Sequence, residues 1–155
     1  MKIHLLAVGE GMPPWVAEGW REYAGRLGGQ VSLQLQELPA GRRAKSVDVA
    51  RLRREEGERL LAAVTEGAVV VALDERGKGW STRDLARRMD GWLLDGRDVA
   101  LLVGGADGLD PTVLAAAELR WSLSALTFPH MLVRVLVAEQ VYRAWSLLAG
   151  HPYHR

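Results

Sequence analysis

Glycine-rich or proline-containing segments follow three apolar runs of this sequence. Residues 104–108 (GGADG) follow the run 99–103, residues 77–79 (GKG) follow the run 69–74, and residues 125–130 (ALTFPH) close a third run. Glycine lets a backbone approach a ligand closely, and open α/β sheets hold ligands in a crevice at the carboxyl ends of their strands. Together the three segments predict such a crevice, although ordinary turn chemistry explains each one equally well by itself.

The segment after the first apolar run lacks the fingerprint of a dinucleotide-binding fold. Gly9 and Gly11 are present, but Pro14 stands where the third glycine of G-x-G-x-x-G belongs. The phosphate-binding pattern G-x-x-x-x-G-K-[ST] is also missing from the sequence. These departures disfavour a nicotinamide-dependent oxidoreductase and a P-loop enzyme.

Side chains suited to anion binding and proton transfer are concentrated near the C terminus. An arginine can stabilise a developing anion, and a histidine can accept a proton near neutral pH. No paired carboxylates or Ser-His-Asp set accompany them, which disfavours hydrolysis. The sequence leaves the identity of a general base open. The candidates for RNA binding and proton handling are His130, Arg134, Arg143, Tyr153, His154 and Arg155.

A second basic segment, residues 39–46 (PAGRRAKS), carries Arg42, Arg43 and Lys45 beside a glycine. Such a loop can follow a phosphate backbone, although a solvated surface loop explains it nearly as well. His151 and His154 have a spacing that metal ligands use, but no third ligand is evident, so no metal site is predicted.

The elements that must position these residues alternate between strand and helix. Continuous apolar runs indicate buried strands, whereas alternation over 31–38 indicates a strand near an edge of the sheet. Ser81 and Asp84 form a helix-start pattern. This order predicts an α/β fold with a mostly parallel sheet. Strands are predicted at 2–8, 31–38, 68–74, 99–103 and 121–127, and helices after Pro13, over 47–64, after Ser81, between Pro111 and Leu119, and over 130–148.

Composition indicates one domain over residues 1–155 with a substantial core. Hydrophobic residues make up 48% of the chain, charged residues 25%, and the net charge is +1. The absence of cysteine and of any apolar run long enough to cross a bilayer suits a cytoplasmic protein without a membrane partner.

The last predicted helix is apolar around most of its circumference. Only a narrow polar line runs through Arg134, Glu139, Gln140 and Arg143. A helix of this kind is either central in its own domain or covered by a second subunit. We expect a two-fold homodimer, with Val137 and Val141 among the buried contacts.

Three segments of the sequence together resemble the RlmH family of ribosomal RNA methyltransferases, within the SPOUT superfamily. They are LDERGKGWS, LLVGGADGL and, above all, the segment from Trp121 to Arg155 (WSLSALTFPHMLVRVLVAEQVYRAWSLLAGHPYHR). The resemblance runs from Met1 to Arg155 at matching length and loop order. It implies a homodimer of SPOUT-type α/β knot domains, in which the C-terminal part forms a trefoil knot.

The same resemblance implies methyl transfer from S-adenosylmethionine to N3 of a pseudouridine in 23S ribosomal RNA, in the assembled ribosome. It places the cofactor in the knot loops. For Leu73, Leu123 and Leu126, burial in the core is the competing interpretation. The implied cofactor-binding residues are Leu73, Gly104, Leu123, Ser124, Ala125, Leu126, Thr127 and Phe128.

The resemblance also divides the polar candidates between two roles. Arg143, Tyr153, His154 and Arg155 are expected at the methyl-acceptor site, whereas RNA binding is expected of Arg42, Arg43, Lys45, His130 and Arg134. Which subunit's tail completes each site is left open. The alternative from another class is a non-catalytic dimeric ribosome-binding factor that retains the fold.

Overall fold

The computed structural model describes residues 1–154, and Arg155 lies outside the described residues. The strands are β1 (Lys2–Val8), β2 (Ser32–Leu38), β3 (Val69–Gly79), β4 (Val99–Val103) and β5 (Leu119–Ser122). The helices are α1 (Pro14–Ala24), α2 (Val49–Ala62), α3 (Thr82–Asp95), α4 (Pro111–Ala116) and α5 (His130–Ala149), and a 3₁₀ turn follows at Pro152–His154.

The five strands form one parallel sheet in the order β2-β1-β4-β3-β5. All five residues of β4, in the middle of the sheet, are buried, as the continuous apolar run predicts. Strand β2 lies at one edge and alternates between buried and more exposed residues, which confirms its predicted position. The parallel order places the carboxyl ends of β4, β3 and β5 side by side.

Helices cover both faces of this sheet. On one face, α1, α3 and α5 enclose a core that includes Leu5, Val71, Leu101 and Met89. On the other face, α2 and α4 pack over Leu6, Leu102 and their neighbours. The result is the three-layer α/β arrangement that the alternation of elements predicts.

Helix α5 lies between α1 and α3 and is largely buried within its own chain. Val137 is 0% and Val141 1% exposed, and both belong to the core against the sheet. The expectation that these two valines face a second subunit is therefore wrong. The alternative interpretation of an apolar helix, a central position in its own domain, explains the burial of both valines.

The start of α3 confirms the predicted capping pattern. The Asp84 backbone N–H donates to Ser81 Oγ at 3.0 Å, and the Ser81 N–H donates to Asp84 Oδ2 at 2.9 Å. Hydrogen bonds from the Ser81 backbone and hydroxyl lower the pKa of Asp84. This reciprocal pair satisfies two backbone donors that a helix start leaves open.

The largest differences from the sequence expectation are at the ends of two strands and one helix. Strand β5 ends at Ser122 rather than at 127, because the chain forms a local turn there. In this turn the Ser122 hydroxyl donates to the Ser124 carbonyl, and the Leu126 N–H donates to Ser124 Oγ. Strand β3 runs on to Gly79, because a register shift lets its end pair with β5 again. Helix α4 ends at Ala116, so that the chain can enter β5 at Leu119.

No helix within residues 1–154 is long and apolar enough to cross a membrane. The trefoil knot that the resemblance implies stays a prediction.

Candidate functional site

A cleft of about 620 Å³ lies at the carboxyl ends of β3, β4 and β5. Its walls come from residues 73–76 of β3, the loop 104–109 after β4 and the segment 123–128 after β5, together with the start of α5 and one residue of α2. Two of the three segments that predict a crevice, 104–108 and 125–130, contribute to its walls. The third, 77–79, does not line it, because this segment continues β3 and pairs with β5. The position of the cleft fits the general rule for ligand sites in parallel sheets.

The segment after β4 forms a tight loop against itself. The Gly108 N–H donates to the Gly105 carbonyl at 3.0 Å, and Gly108 has a φ of +79°. A Cβ on Gly104 would lie 2.6 Å from the carbonyl carbon and oxygen of Gly108. The expectation that Gly104 makes room for a ligand therefore needs correction, because its missing side chain makes room for the loop itself.

The far end of this loop is fixed by the start of α4. Asp110 caps the helix by accepting from the Thr112 N–H at 3.0 Å and from the Thr112 hydroxyl. The Thr112 hydroxyl bond lowers the pKa of Asp110, and the neighbouring charges of Arg53 and Arg54 act in the same direction. The loop is thus closed on itself and anchored by a charged cap.

The segment 123–128 supplies the wall on the β5 side. Within the described part of the chain, no backbone–backbone hydrogen bond outside regular elements involves these residues. Several of their backbone N–H and C=O groups therefore remain available to a ligand. Leu126 is 71% exposed, so this leucine does not belong to the core.

The floor of the cleft includes a tryptophan that sequence reasoning did not select. The ring of Trp121 stacks on Trp80 with centroids 4.8 Å apart and an interplanar angle of 11°. Trp121 is 3% exposed, and its indole Nε1 has no hydrogen-bond partner among residues 1–154. A buried donor without a partner is costly.

Most of the residues expected to bind a cofactor line this cleft. The exception is Ala125, which is exposed and absent from the wall. Residues of the wall that sequence reasoning missed include Arg53, Arg76, Asp107 and Val133, because no local pattern places them beside the loops. The expected residues found in the wall are Leu73, Gly104, Leu123, Ser124, Leu126, Thr127 and Phe128.

His130 and Arg134 begin α5 next to the cleft but have different environments. His130 is exposed and lines the cleft. Arg134 is 0% exposed: its Nη1 donates to Glu37 Oε2 at 2.6 Å and its Nη2 to the Gly9 carbonyl at 2.8 Å. The expectation that Arg134 binds RNA is therefore corrected, because this side chain ties α5 to the ends of β1 and β2 inside the protein.

The basic loop lies beside the glycine loop. Arg42 and Lys45 are exposed, whereas Arg43 is paired with Asp107 of the cleft wall. Buried Glu56 anchors the same loop by accepting from the Gly41 N–H at 3.0 Å. The structure thus brings the predicted phosphate-binding loop to the cleft, with Arg43 engaged in an ion pair.

The candidate catalytic residues of the tail form a separate cluster on α5. Glu139 accepts from Arg143 Nη2 at 2.6 Å and from the Tyr153 hydroxyl at 3.0 Å. The Tyr153 ring packs edge-on against Tyr142 at 4.4 Å. His154 Nδ1 lies 3.5 Å from Ser146 Oγ. These contacts rule out a frayed end for residues 152–154.

Burial, together with the hydrogen bond to Glu139, raises the pKa of Tyr153 to about 12. The hydrogen bond from Arg143 to Glu139 raises the pKa of Arg143 as well. Near neutral pH the tail therefore presents a protonated phenol and a guanidinium cation.

The tail cluster and the cleft lie at opposite ends of α5. His130 is at the cleft, and Arg143 follows thirteen positions later in the same helix, a rise of about 20 Å at 1.5 Å per residue. None of the described tail residues 151–154 lines the cleft. Arg155, the remaining catalytic candidate, falls outside the described residues.

His151 and His154 have partners other than a metal ion. His151 Nδ1 accepts from the Tyr153 N–H at 3.2 Å, and His154 lies near Ser146. Residues 1–154 contain no group of three or more His, Asp or Glu side chains placed to hold a metal.

Comparison with known proteins places this geometry in context. Residues 1–154 match a family described as "Predicted SPOUT methyltransferase". The chain is 66% identical over 155 residues to a protein of Alkalilimnicola ehrlichii named Ribosomal RNA large subunit methyltransferase H, covering 100% of this chain and 99% of the relative. Proteins of the same name from Thioalkalivibrio sulfidiphilus and Pseudomonas aeruginosa PAO1 are 59% and 57% identical, each covering 100% of this chain and 99% and 100% of the relatives.

Solved structures with low sequence identity share the fold. A probable methylase family protein from Haemophilus influenzae Rd KW20 aligns with a TM-score of 0.54 at 15% identity, over 99% of this chain and 70% of that one. A structure concerned with the 2-OH methylation of C/U34 on tRNA aligns with a TM-score of 0.50 at 19% identity, over 96% and 97%.

Proposed function

The chain belongs to the SPOUT methyltransferase family, and we propose that it methylates large-subunit ribosomal RNA, with S-adenosylmethionine as the methyl donor. The observation that carries this proposal is the cleft at the ends of β3, β4 and β5. The full-length likeness to proteins named for ribosomal RNA methylation supports the substrate class. The resemblance to the RlmH family narrows the target to N3 of a pseudouridine in 23S rRNA.

The residues of the cleft fit an adenosyl ligand. Its volume of about 620 Å³ is in the range of small-molecule sites, and its walls combine apolar side chains with unbonded backbone groups. Leu73 and Val133 offer apolar surface to a ring. We assign the binding of S-adenosylmethionine to Leu73, Gly104 and the loop 123–128.

When bound, S-adenosylmethionine supplies an activated sulfonium methyl group. The protein must then align the acceptor and remove the proton from N3 of the base. His130, which lines the cleft, and His154 of the tail are the two candidates for this proton transfer. Arg143 and the protonated Tyr153 are assigned to holding the base and its developing negative charge.

The distance between tail and cleft supports the proposal of a homodimer. Because the two lie about 20 Å apart along one helix, the tail of one subunit cannot serve its own cleft without leaving its contacts on α5. We therefore propose that each tail completes the cleft of the partner subunit. The partly exposed apolar residues of α5 outside the core cluster offer the interface: Met131, Leu132, Val135 and Leu136.

Arg42 and Lys45 are assigned to the RNA backbone. Both are exposed on the loop that the Arg43–Asp107 pair holds beside the cleft. Phosphate contacts of this kind position a nucleic acid without reading its sequence.

Methyl transfer from labelled S-adenosylmethionine to ribosomes, with the modified nucleotide mapped, tests the proposal. Ribosomes should be isolated from cells that lack this protein and offered as free RNA, large subunits and assembled ribosomes. The expected result is one modified pseudouridine, formed in assembled ribosomes. Ribosome binding without donor binding or methyl transfer would instead favour the non-catalytic factor.

Light scattering on a Leu136→Glu variant tests the dimer. A charge on this outward position should halve the mass in solution while the helical circular dichroism is retained. Leu148→Glu, at a residue 40% exposed near the other end of α5, is the matched control and should leave the mass unchanged. A folded Leu136→Glu variant of unchanged mass would contradict the proposed interface.

A further inference from the structure

One cation in the cleft wall lacks the counter-ion that its neighbours have. Arg76 is paired with Asp74 at 3.6 Å, and Asp107 is paired with Arg43. Arg53 lines the same cleft, yet it forms no ion pair with any of residues 1–154 that the structure describes. Its guanidinium Nε is buried and has no hydrogen-bond partner within that part of the chain.

The packing of α2 explains why Arg53 faces the cleft. Gly57, one helical turn later on the same face, lies so close to α4 that a Cβ there would be 2.9 Å from Val113 Cγ2 and 3.2 Å from Asp110 Cβ. Because of this close approach, that face of α2 packs directly against the loop 104–110. Arg53 is therefore held beside the glycine loop, whereas the adjacent Arg54 is exposed.

Neither Asp110 nor Glu56 forms an ion pair with Arg53 within the described residues. Asp110 uses its side chain to accept two hydrogen bonds from Thr112. Glu56 accepts from the Gly41 N–H, and its second oxygen, Oε1, remains without a partner as Nε of Arg53 does. A partly desolvated guanidinium without a partner is costly, so a counter-ion from a ligand would stabilise it.

From these observations we propose that Arg53 binds an oxyanion of a ligand in the cleft. The inference rests on the proposed function, which offers two sources of this chemistry: the amino-acid carboxylate of the methyl donor and a phosphate of the RNA. A guanidinium suits both, because its planar donors can bind either group in a bidentate manner.

Calorimetry with two adenosyl compounds tests whether Arg53 binds the carboxylate of the methyl donor. S-adenosylhomocysteine carries the amino-acid carboxylate, and 5′-methylthioadenosine does not. Arg53→Gln should weaken binding of S-adenosylhomocysteine by about tenfold and change binding of 5′-methylthioadenosine by less than about twofold. Arg54→Gln removes the same charge from the neighbouring exposed position and should leave both affinities unchanged.

The RNA source is tested by ribosome binding at several salt concentrations. If Arg53 contacts a phosphate, Arg53→Gln should weaken ribosome binding and reduce its salt dependence by about one counter-ion, with both adenosyl affinities unchanged. Arg53→Lys, which keeps the charge, should restore part of whichever affinity is lost.

Two results would separate failure of this inference from failure of the proposed function. Unchanged affinities for S-adenosylhomocysteine and for ribosomes in Arg53→Gln would overturn the role of Arg53, and a lowered melting temperature alongside would assign it to neutralising Glu56. A wild-type protein that binds neither adenosyl compound would overturn the proposed donor site, and ribosome binding alone would then decide the role of Arg53.

Discussion

The two ends of α5 carry sites of different construction. At its N-terminal end the cleft is built by backbone: a glycine loop closed on itself and a segment with unbonded peptide groups. At its C-terminal end the tail is held by side chains, with Glu139 joining Arg143 and Tyr153. One end is suited to holding a ligand through shape and peptide groups, and the other to presenting charge and protons.

Under the proposed function, one chain carries two halves of a site. The cleft contains the loops to which the methyl donor is assigned, whereas the tail contains the groups assigned to the methyl acceptor, and its described residues 151–154 do not line the cleft. A rigid helix of twenty residues keeps the halves apart. A partner subunit is the simplest way to bring them together, so changes at the two ends should affect different measurements.

Deleting residues 152–155 should have the largest effect. The deletion removes the groups assigned to the methyl acceptor, so transfer to ribosomes should fall by about 1,000-fold. Affinity for S-adenosylmethionine, measured by calorimetry, should change by less than about twofold because the cleft is intact. Full turnover in the shortened protein would break the division between the two ends.

Arg134→Ala should mainly destabilise the fold. The change leaves Glu37, whose side chain is 29% exposed, without its partner, at a cost of about 3 kcal/mol in the free energy of unfolding. Urea unfolding followed by circular dichroism measures this loss. Arg42→Ala, at an exposed position of the basic loop, is the control and should leave stability unchanged while weakening ribosome binding.

Gly104→Ala should damage the cleft end alone. The added Cβ would meet the Gly108 backbone at 2.6 Å, which costs about 2 kcal/mol of stability and displaces the loop. We expect the affinity for S-adenosylmethionine to fall at least about tenfold, because the displaced loop forms part of the cleft. Gly91→Ala, in the interior of α3 with open space around it, should raise stability slightly and leave donor affinity unchanged.

Should Gly104→Ala bind the donor as the parent protein does, the loop 104–108 would not form part of the donor site. Should Gly91→Ala lose affinity equally, the effect at Gly104 would reflect general destabilisation.

Tyr153→Phe should have the smallest effect, about 1 kcal/mol from the lost hydrogen bond to Glu139. Since the pKa of Tyr153 is raised from 10.0 to about 12 in the folded protein, its stabilising contribution is present below about pH 10 and lost as the pH rises towards 12. Unfolding at pH 8 to 11 should show this decline in the wild type and not in Tyr153→Phe. If stability depended on pH in the same way in both proteins, the Tyr153 hydroxyl would not stabilise the tail cluster through its hydrogen bond to Glu139.

The sequence by itself determined the order of the elements and the edge of the sheet at which the cleft lies. Apolar runs, glycine segments and the Ser81 capping pattern are local signals, and within residues 1–154 the structure confirms five strands, five helices and a cleft at two of the three predicted segments. The strand end predicted at 127 is wrong, because side-chain turns at Ser122 and Ser124 outweigh a continued strand.

Only the tertiary structure decided which charged residues are available and which are internal. Arg134 and Arg143 lie on the same predicted polar line of α5, yet one is buried against Glu37 and Gly9 and the other faces the tail. Arg53 appears in the sequence as one charge of an amphipathic helix, and only the close packing at Gly57 brings it to the cleft. Periodicity assigns a residue to a face of its own helix, whereas the neighbours of that face depend on contacts between segments far apart in the chain.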